Sequence, residues 1–285
     1  MNNEPYIIYS NNNFLILYKP PHWKVDTSAN YEQLSIENQK KELEKPIKSF
    51  QLYVKFLLID KFKTNPLENR QQLYYDTIKY NETYNICHRY DQETSGGLLV
   101  SLKNNMLEYY INIIGNKNNT IKIYLTLVNG KIKQKNGFIY KNIECIHQSN
   151  NVFCKATDEG KINSISYYNV IGYIKFNHKI YSLVHVKIFT GKTHQIRLHM
   201  LSLGHPLVCD NKYIETSLYV ENKDLSPRMF LHNIFLGFID RGIPYKFTIP
   251  LANDLIEVLN KIEKKKIYRD IYDLNYLFDI KINKN

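Results

Sequence analysis

The 285-residue chain has no run of about 18 apolar residues of the kind that spans a bilayer as a helix, which argues against a helical membrane protein. Its opening stretch, Met1-Asn2-Asn3-Glu4-Pro5-Tyr6-Ile7-Ile8, has neither the apolar core of a secretory signal nor the basic amphipathic character of an organelle presequence. The expectation is an intracellular protein, cytoplasmic by default, with a mitochondrial or plastid address left open. Cysteine is scarce: Cys87, Cys145, Cys154 and Cys209 show no C-x-x-C spacing, so reduced thiols are expected rather than disulfides or a zinc ribbon. No internal repeat and no interdomain linker stands out, and 44% hydrophobic content suffices for a sizeable core. One domain over residues 1–285 is expected, with its core at about 6–255 and a C-terminal helix and peripheral tail over 253–285.

Acidic residues are missing from two long segments. Residues 109–143 hold six lysines and no acid, and residues 161–209 hold five lysines and Arg197 and no acid, which accounts for more than the net charge of +11. Basic charge placed in this way on the middle of a chain is what a polyanion partner requires, and nucleic acid is the expected class.

Three familiar chemistries fail on missing residues. Gly191-Lys192-Thr193 resembles the end of a phosphate-binding loop, but that loop needs Gly where this chain has Val186. His194 and His199 are five apart and cannot share a helical face as a zinc-binding H-E-x-x-H does. Ser95 lies in Glu93-Thr94-Ser95-Gly96-Gly97, without the first Gly of a nucleophile elbow. No metal and no cofactor is expected.

Taken in order, Tyr6–Tyr9 and Phe14–Tyr18 read as two strands about an Asn-rich turn, the second stopped by Pro20-Pro21. Residues 31–62 carry helical spacing with a break at Pro46, and the polar residues 63–83 read as a surface loop. An apolar run at 98–102 leads into a helix ending near 114. Ile121 to Val128 alternates, with Ile121, Ile123, Leu125 and Leu127 on one face and Lys122 and Tyr124 on the other, and it closes on an Asn129-Gly130 turn. Strands are expected through 130–190. A helix follows, capped by Thr193 and ended by Gly204, on which Arg197 projects away from the packed side.

Residues 86–97, Ile-Cys-His-Arg-Tyr-Asp-Gln-Glu-Thr-Ser-Gly-Gly, crowd ionisable groups between two apolar runs. A hundred residues on, Thr190-Gly-Lys-Thr-His-Gln-Ile-Arg-Leu-His199 leads to Gly204-His205-Pro206 and Asp210. In order and spacing the two stretches resemble the RluA-type pseudouridine synthase family, whose signatures read H-R-L-D-x-x-T-S-G and G-R-T-H-Q-I-R-x-H, then G-H-P and G-D. The departures are Tyr90 for Leu, Lys192 for Arg, and Cys209 for the Gly before Asp210. Lys19-Pro20 resembles the family's N-K-P-x-G, with His22 in the place of Gly. With eighteen residues before Lys19, the small RNA-binding domain that some members carry there is not expected.

The resemblance implies an α+β fold around a mixed, largely antiparallel β-sheet with flanking helices. It also implies an RNA pseudouridine synthase acting on ribosomal or transfer RNA, as a monomer without an obligatory protein partner. The implied catalytic residues are Asp91, the reacting carboxylate; Tyr124, which lies against the uracil; and Arg197, which favours the carboxylate anion. Arg89 would fill the space vacated by the displaced base. His88, Thr94, Lys122, Lys192 and His194 are the remaining substrate-site candidates, His88, Thr94 and Ser95 shaping the loop rather than reacting. Lys19 and Lys103, with Lys122, are placed against the RNA backbone on charge alone. The alternative is a catalytically inactive RNA-binding or ribosome-assembly factor on the same fold.

Overall fold

The computed structural model describes residues 4–25, 35–45, 48–63, 85–148 and 151–282. The chain forms two compact units, Met1–Ile114 and Gly115–Asn285.

In the first unit, strand β2 (Phe14–Lys19) runs antiparallel to β1 (Tyr6–Ser10) and to β5 (Ser95–Ser101). Every residue of β2 and β5 is buried, and Phe14–Leu17 and Leu98–Val100 at their centres are continuous apolar runs rather than alternating ones. The turn between β1 and β2 is set by Asn11, whose Oδ1 accepts from the amides of Asn13 and Phe14. Helix α1 (Ile36–Glu42) begins at Ser35, whose hydroxyl accepts from Asn38 N. The short strand β3 (Trp23–Lys24) pairs in parallel with β4 (Lys48–Ser49), which feeds helix α2 (Phe50–Lys63). Phe50, Val54 and Leu58 recur at helical spacing and are buried, and the Trp23 ring meets Phe50 and Tyr53 edge-on. Helix α3 (Leu107–Gly115) follows β5. The expected surface loop, from residue 64 onward, lies outside the described residues.

The second unit is built on a sheet in the order β11-β6-β10-β9-β7-β8, with β12 added to β11 and β13 to β9. Its strands are β6 (Thr120–Asn129), β7 (Asn136–Gln148), β8 (Asn151–Thr157), β9 (Ser164–Phe176), β10 (Lys179–Ile188), β11 (Leu231–Asp240), β12 (Ile243–Thr248) and β13 (Glu263–Ile267), and all the ladders that join them are antiparallel. Helices α4 (Gln195–Ser202), α5 (Thr216–Leu225), α6 (Asn253–Lys261) and α7 (Asn275–Phe278) flank it. This is the expected α+β class.

One sheet face carries the main core. Ile123, Leu125 and Leu127 of β6 and Leu183 of β10 pack with Leu255 and Val258 of α6 and with Leu274 and Leu277 near the chain's end. The C-terminal segment is therefore not the peripheral tail expected: α6 stops at Lys261 and the chain adds β13 to the sheet. It then buries Leu277 and places carbonyls over the sheet face. The buried Lys187 ammonium donates to the carbonyls of Leu277 (2.7 Å) and Ile280 (2.8 Å), and burial pushes it down to about 8. His185, beside it, donates Nε2–H to Ile271 O and receives the Tyr276 hydroxyl at Nδ1.

Both faces of the alternating β6 strand are buried, Tyr124, Thr126 and Val128 as well as their neighbours. Its two edges are paired with β10 and β11, the Thr126 hydroxyl donates to Phe230 O, and Val128 bridges Leu207. One further expectation changes. Cys145 and Cys154 are joined in a disulfide, against the expected reduced thiols. The β7–β8 register sets these two residues opposite each other, a proximity that a nine-residue separation conceals in sequence. Cys87 and Cys209 are buried thiols outside that disulfide.

A structural tail makes a measurable difference. Leu277→Ala is expected to lower stability by about 2–5 kcal/mol, through lost burial and the cavity it leaves. The urea midpoint of the full chain reads it, and an unchanged midpoint would mean that the segment does not pack.

Candidate active site

The Asp91 loop is fixed from three sides by its own unit. Cys87 N donates to Leu99 O of β5, and Leu99 N donates back to His88 Nε2 at 3.1 Å. His88 is thereby an acceptor at Nε2, and its ring also meets Tyr90 edge-on. The turn closes where Thr94 N donates to Asp91 O. From below, the fully buried Lys19 ammonium donates to the carbonyls of Pro20 (3.0 Å), Gln92 (3.1 Å) and Thr94 (2.7 Å). Lys19 is thus a clamp on the loop and not the RNA-backbone contact expected from its charge. An ammonium taken out of water must keep its donors occupied, and three loop carbonyls occupy them.

Tyr90, where the family has Leu, fits because its hydroxyl reaches Gly97 O at 2.7 Å. Asp91 is half-buried and Arg89 is exposed. Thr94 Oγ1 is buried without a hydrogen-bond partner among the described residues. Lys103 is exposed and donates to Asn13 Oδ1.

In the second unit, α4 is sewn to β9 by its polar residues. Gln195 Nε2 donates to Ile165 O and Ser166 Oγ, and its Oε1 accepts from Lys192 N and the Thr190 hydroxyl. This carboxamide, rather than the expected Thr193 cap, satisfies the approach to the helix; the N-cap position is His194, in the left-handed region at φ 56°. At the other end Gly204 (φ +77°) and His205 return their amides to Leu201 O and Met200 O, a Schellman closure.

The His199 ring sits between two serines. Ser164 gives its proton to Lys141 O, so it accepts from Nε2–H; Ser166 accepts from Gln195 and so donates to Nδ1. This network holds His199 neutral, and burial, with the Lys141 charge adding to it, pushes its pKa down to about 4.

Arg197 does not project from the core as expected. It is 6% exposed and forms a two-pronged pair with Asp210, Nε to Oδ2 at 2.8 Å and Nη2 to Oδ1 at 2.6 Å. The Tyr213 ring lies 4.9 Å from the guanidinium carbon, and the Tyr213 hydroxyl meets His194 Nδ1 at 2.6 Å. Asp210, read in the sequence only as the end of the G-D signature, and Tyr213, not singled out there, are the residues that hold Arg197 in place.

Cys209, in place of that signature's Gly, holds φ 58° and hands its amide to Asn222 Oδ1. His22 likewise holds φ 65° where the family has Gly. Both departures keep the backbone the motif needs, at a strain of about 1–2 kcal/mol each.

Strand register places Tyr124 and Lys122 on one sheet face with Ser166, through Val186–Tyr168 and Ile188–Ser166. Ser166 is where α4 is anchored, so Tyr124, Lys122 and the Arg197 helix share a face, opposite the main core. Burial pushes the Lys122 ammonium down to about 8. Lys192 is exposed. Among the described residues no group of three or more His, Cys, Asp or Glu is placed to hold a metal, and no helix is long and apolar enough to cross a membrane.

A largely antiparallel sheet with flanking helices places the chain in the pseudouridine synthase fold class. The solved human RNA Pseudouridylate Synthase Domain Containing 1 superposes with a TM-score of 0.64 over 99% of this chain and 98% of that one, at 21% identity, a likeness of fold. Residues 13–202 match the family described as RNA pseudouridylate synthase, and the chain belongs to that family. An uncharacterized RNA pseudouridine synthase of Helicobacter pylori is 26% identical over 94% of this chain and 72% of its own length. Ribosomal large subunit pseudouridine synthase D of Buchnera aphidicola is 29% identical over 70% of this chain and 65% of its own length. A 91-residue stretch is 43% identical to 1% of a MATH and LRR domain-containing protein of Plasmodium falciparum, and covers 32% of this chain. The chain spans between 50% and 65% of the length of several curated relatives.

Two consequences can be measured. Asp210→Asn leaves a buried guanidinium without its counter-charge and is expected to cost about 3–5 kcal/mol in chemical denaturation; a cost under 1 kcal/mol would show that Arg197 is held by other groups. His185 and His199 both have folded pKa values of about 4, below the ordinary 6.5. The unfolded chain therefore takes up protons before the folded one, and stability falls as pH drops from 6.5 towards 4, by as much as about 3 kcal/mol for each ring. Melting temperature against pH reads this, and a flat profile through that window would contradict it.

Proposed function

We propose that the chain is an RNA pseudouridine synthase, an isomerase converting uridine to pseudouridine in ribosomal or transfer RNA, acting as a monomer with Asp91 as the reacting carboxylate. What carries the reading is the treatment of Asp91: Lys19, His88 and β5 are committed to fixing the backbone of its loop, an investment that RNA binding alone does not require.

The reaction breaks the bond from ribose C1′ to uracil N1, turns the base, and joins C1′ to C5. C5 loses a proton and N1 gains one, so atoms balance with no redox partner or group donor. Asp91 supplies the anion beside the sugar and base. Tyr124, rigid on a central strand, offers its ring to the detached uracil and its hydroxyl as a proton-handling group. Arg197, oriented by both prongs of Asp210, supplies a fixed positive charge, which costs no reorganisation during reaction. The exposed Arg89 takes the space of the displaced base, and the uncapped Thr94 hydroxyl and half-buried His194 belong to the substrate side. Lys192 keeps the charge of the family's Arg without its fork.

The test is Asp91→Asn, assayed by pseudouridine mapping of ribosomal and transfer RNA incubated with the protein. Pseudouridine formation is expected to vanish while RNA affinity stays within about threefold, because one neutralised carboxylate releases no phosphate contact. Equal activity of variant and wild type would remove Asp91 from the chemistry; absence of activity in the wild type on every RNA would favour an inactive binding factor.

A further inference from the structure

Beside the Tyr124 face lies a basic surface that the isomerisation does not use. The β6–β7 connection presents Lys131, Lys133 and Lys135, all exposed, and it is not a loose loop. The Tyr173 hydroxyl donates to Ile132 O at 2.6 Å, the Tyr168 hydroxyl to Gln134 O at 3.2 Å, and Val170 N to Lys135 O at 2.6 Å.

These bonds lay the connection along β9. The outer edge of β9 is occupied first by β7 and then by β13, which meet end to end where Val170 N reaches Lys135 O and Tyr268 N reaches Ile171 O. At that junction Lys135 Nζ lies 4.3 Å from the Tyr268 ring centre and Lys131 Nζ 5.4 Å from that of Tyr173, the two rings being edge-to-face at 5.8 Å. Lys175, two residues beyond Tyr173 on β9, lies on the same face of that strand. The strip thus gathers Lys131, Lys133, Lys135 and Lys175. Two acids that follow β13 along the chain are engaged, Asp273 with Arg269 and Asp270 with Tyr272 N.

We infer that this strip docks the phosphodiester backbone of the RNA substrate, away from the nucleotide undergoing isomerisation. The inference rests on the RNA-modifying reading above. Cross-strand register runs from Val128 through Ser182 to Tyr173, on the Tyr124 face. Four residues along β6 and two strands across put the strip roughly 15–20 Å from Tyr124. A stacked strand advances about 3.4 Å per nucleotide, so about five nucleotides bridge the distance and three do not. Lysine, a point charge on a flexible stem, suits sequence-independent phosphate contact.

The experiment uses the full chain with fluorescent oligouridylates of three and twelve nucleotides. Lys131→Gln/Lys133→Gln/Lys135→Gln is expected to weaken the twelve-nucleotide probe about tenfold at 0.1 M salt, to lower the slope of log affinity against log salt by about 2, and to leave the three-nucleotide probe unchanged. Adding Lys175→Gln lowers the slope further. Retention of the wild-type melting temperature separates lost contacts from lost folding, and Lys131→Gln alone supplies a milder variant. An unchanged slope in both multiple variants, or a loss of solubility as their only effect, overturns the strip and leaves the lysines as guards of an exposed strand edge. A wild type that binds neither probe overturns the RNA reading itself.

Discussion

The second unit depends most on one buried ion pair, Arg197 with Asp210. A guanidinium and a carboxylate removed from water are tolerated only if every donor and acceptor finds a partner in good geometry. Their surroundings supply that: Asp210 Oδ1 also accepts from Lys212 N, Tyr213 covers the guanidinium, and the left-handed turn at Cys209 is held by Asn222. Asn222 in turn exchanges reciprocal amide bonds with Asn129 at the end of β6. A line of hydrogen bonds therefore connects the strand that carries Tyr124 to the carboxylate that orients Arg197. Precision at a charged side chain is obtained here by over-determining the backbone around its partner.

The same logic operates in the first unit with opposite polarity. There the interior group is the cation, Lys19, and the loop backbone supplies the counterparts. In both units the polar groups in the interior set geometry, and the charged groups proposed to meet a substrate are nearer the surface: Arg89 and Lys192 exposed, Asp91 half-buried.

Much of this was legible in sequence because local patterns carry local information. The helical spacing within residues 31–62, which α2 bears out, the β6 strand with its Gly130 turn, and the two long motifs all mark what the structure contains. What sequence conceals is pairing at a distance. The clean alternation of β6 does not reveal that the strand is central, since its partners Leu207, Phe230 and β11 lie far along the chain. Cys145 and Cys154 become opposed only through the β7–β8 register. Charge is similarly ambiguous: Lys19 and Lys187 count towards a basic surface in the sequence, yet both are interior and bonded to carbonyls. Within the candidate site, residue types matching a family signature are readable, whereas the roles of Gln195 and His199 as fasteners of a helix emerge only when their hydrogen-bond partners on β9 are known.

The C-terminal segment has a consequence for how the chain is made. Lys187 and His185 are buried on β10, but the carbonyls and hydroxyl that satisfy them belong to Ile271, Tyr276, Leu277 and Ile280. While a nascent chain still lacks those residues, β10 carries an amine and an imidazole with no interior partners, and they must remain hydrated. The sheet of the second unit therefore acquires its native interior only after translation has passed residue 280, which makes its folding a late event on the ribosome.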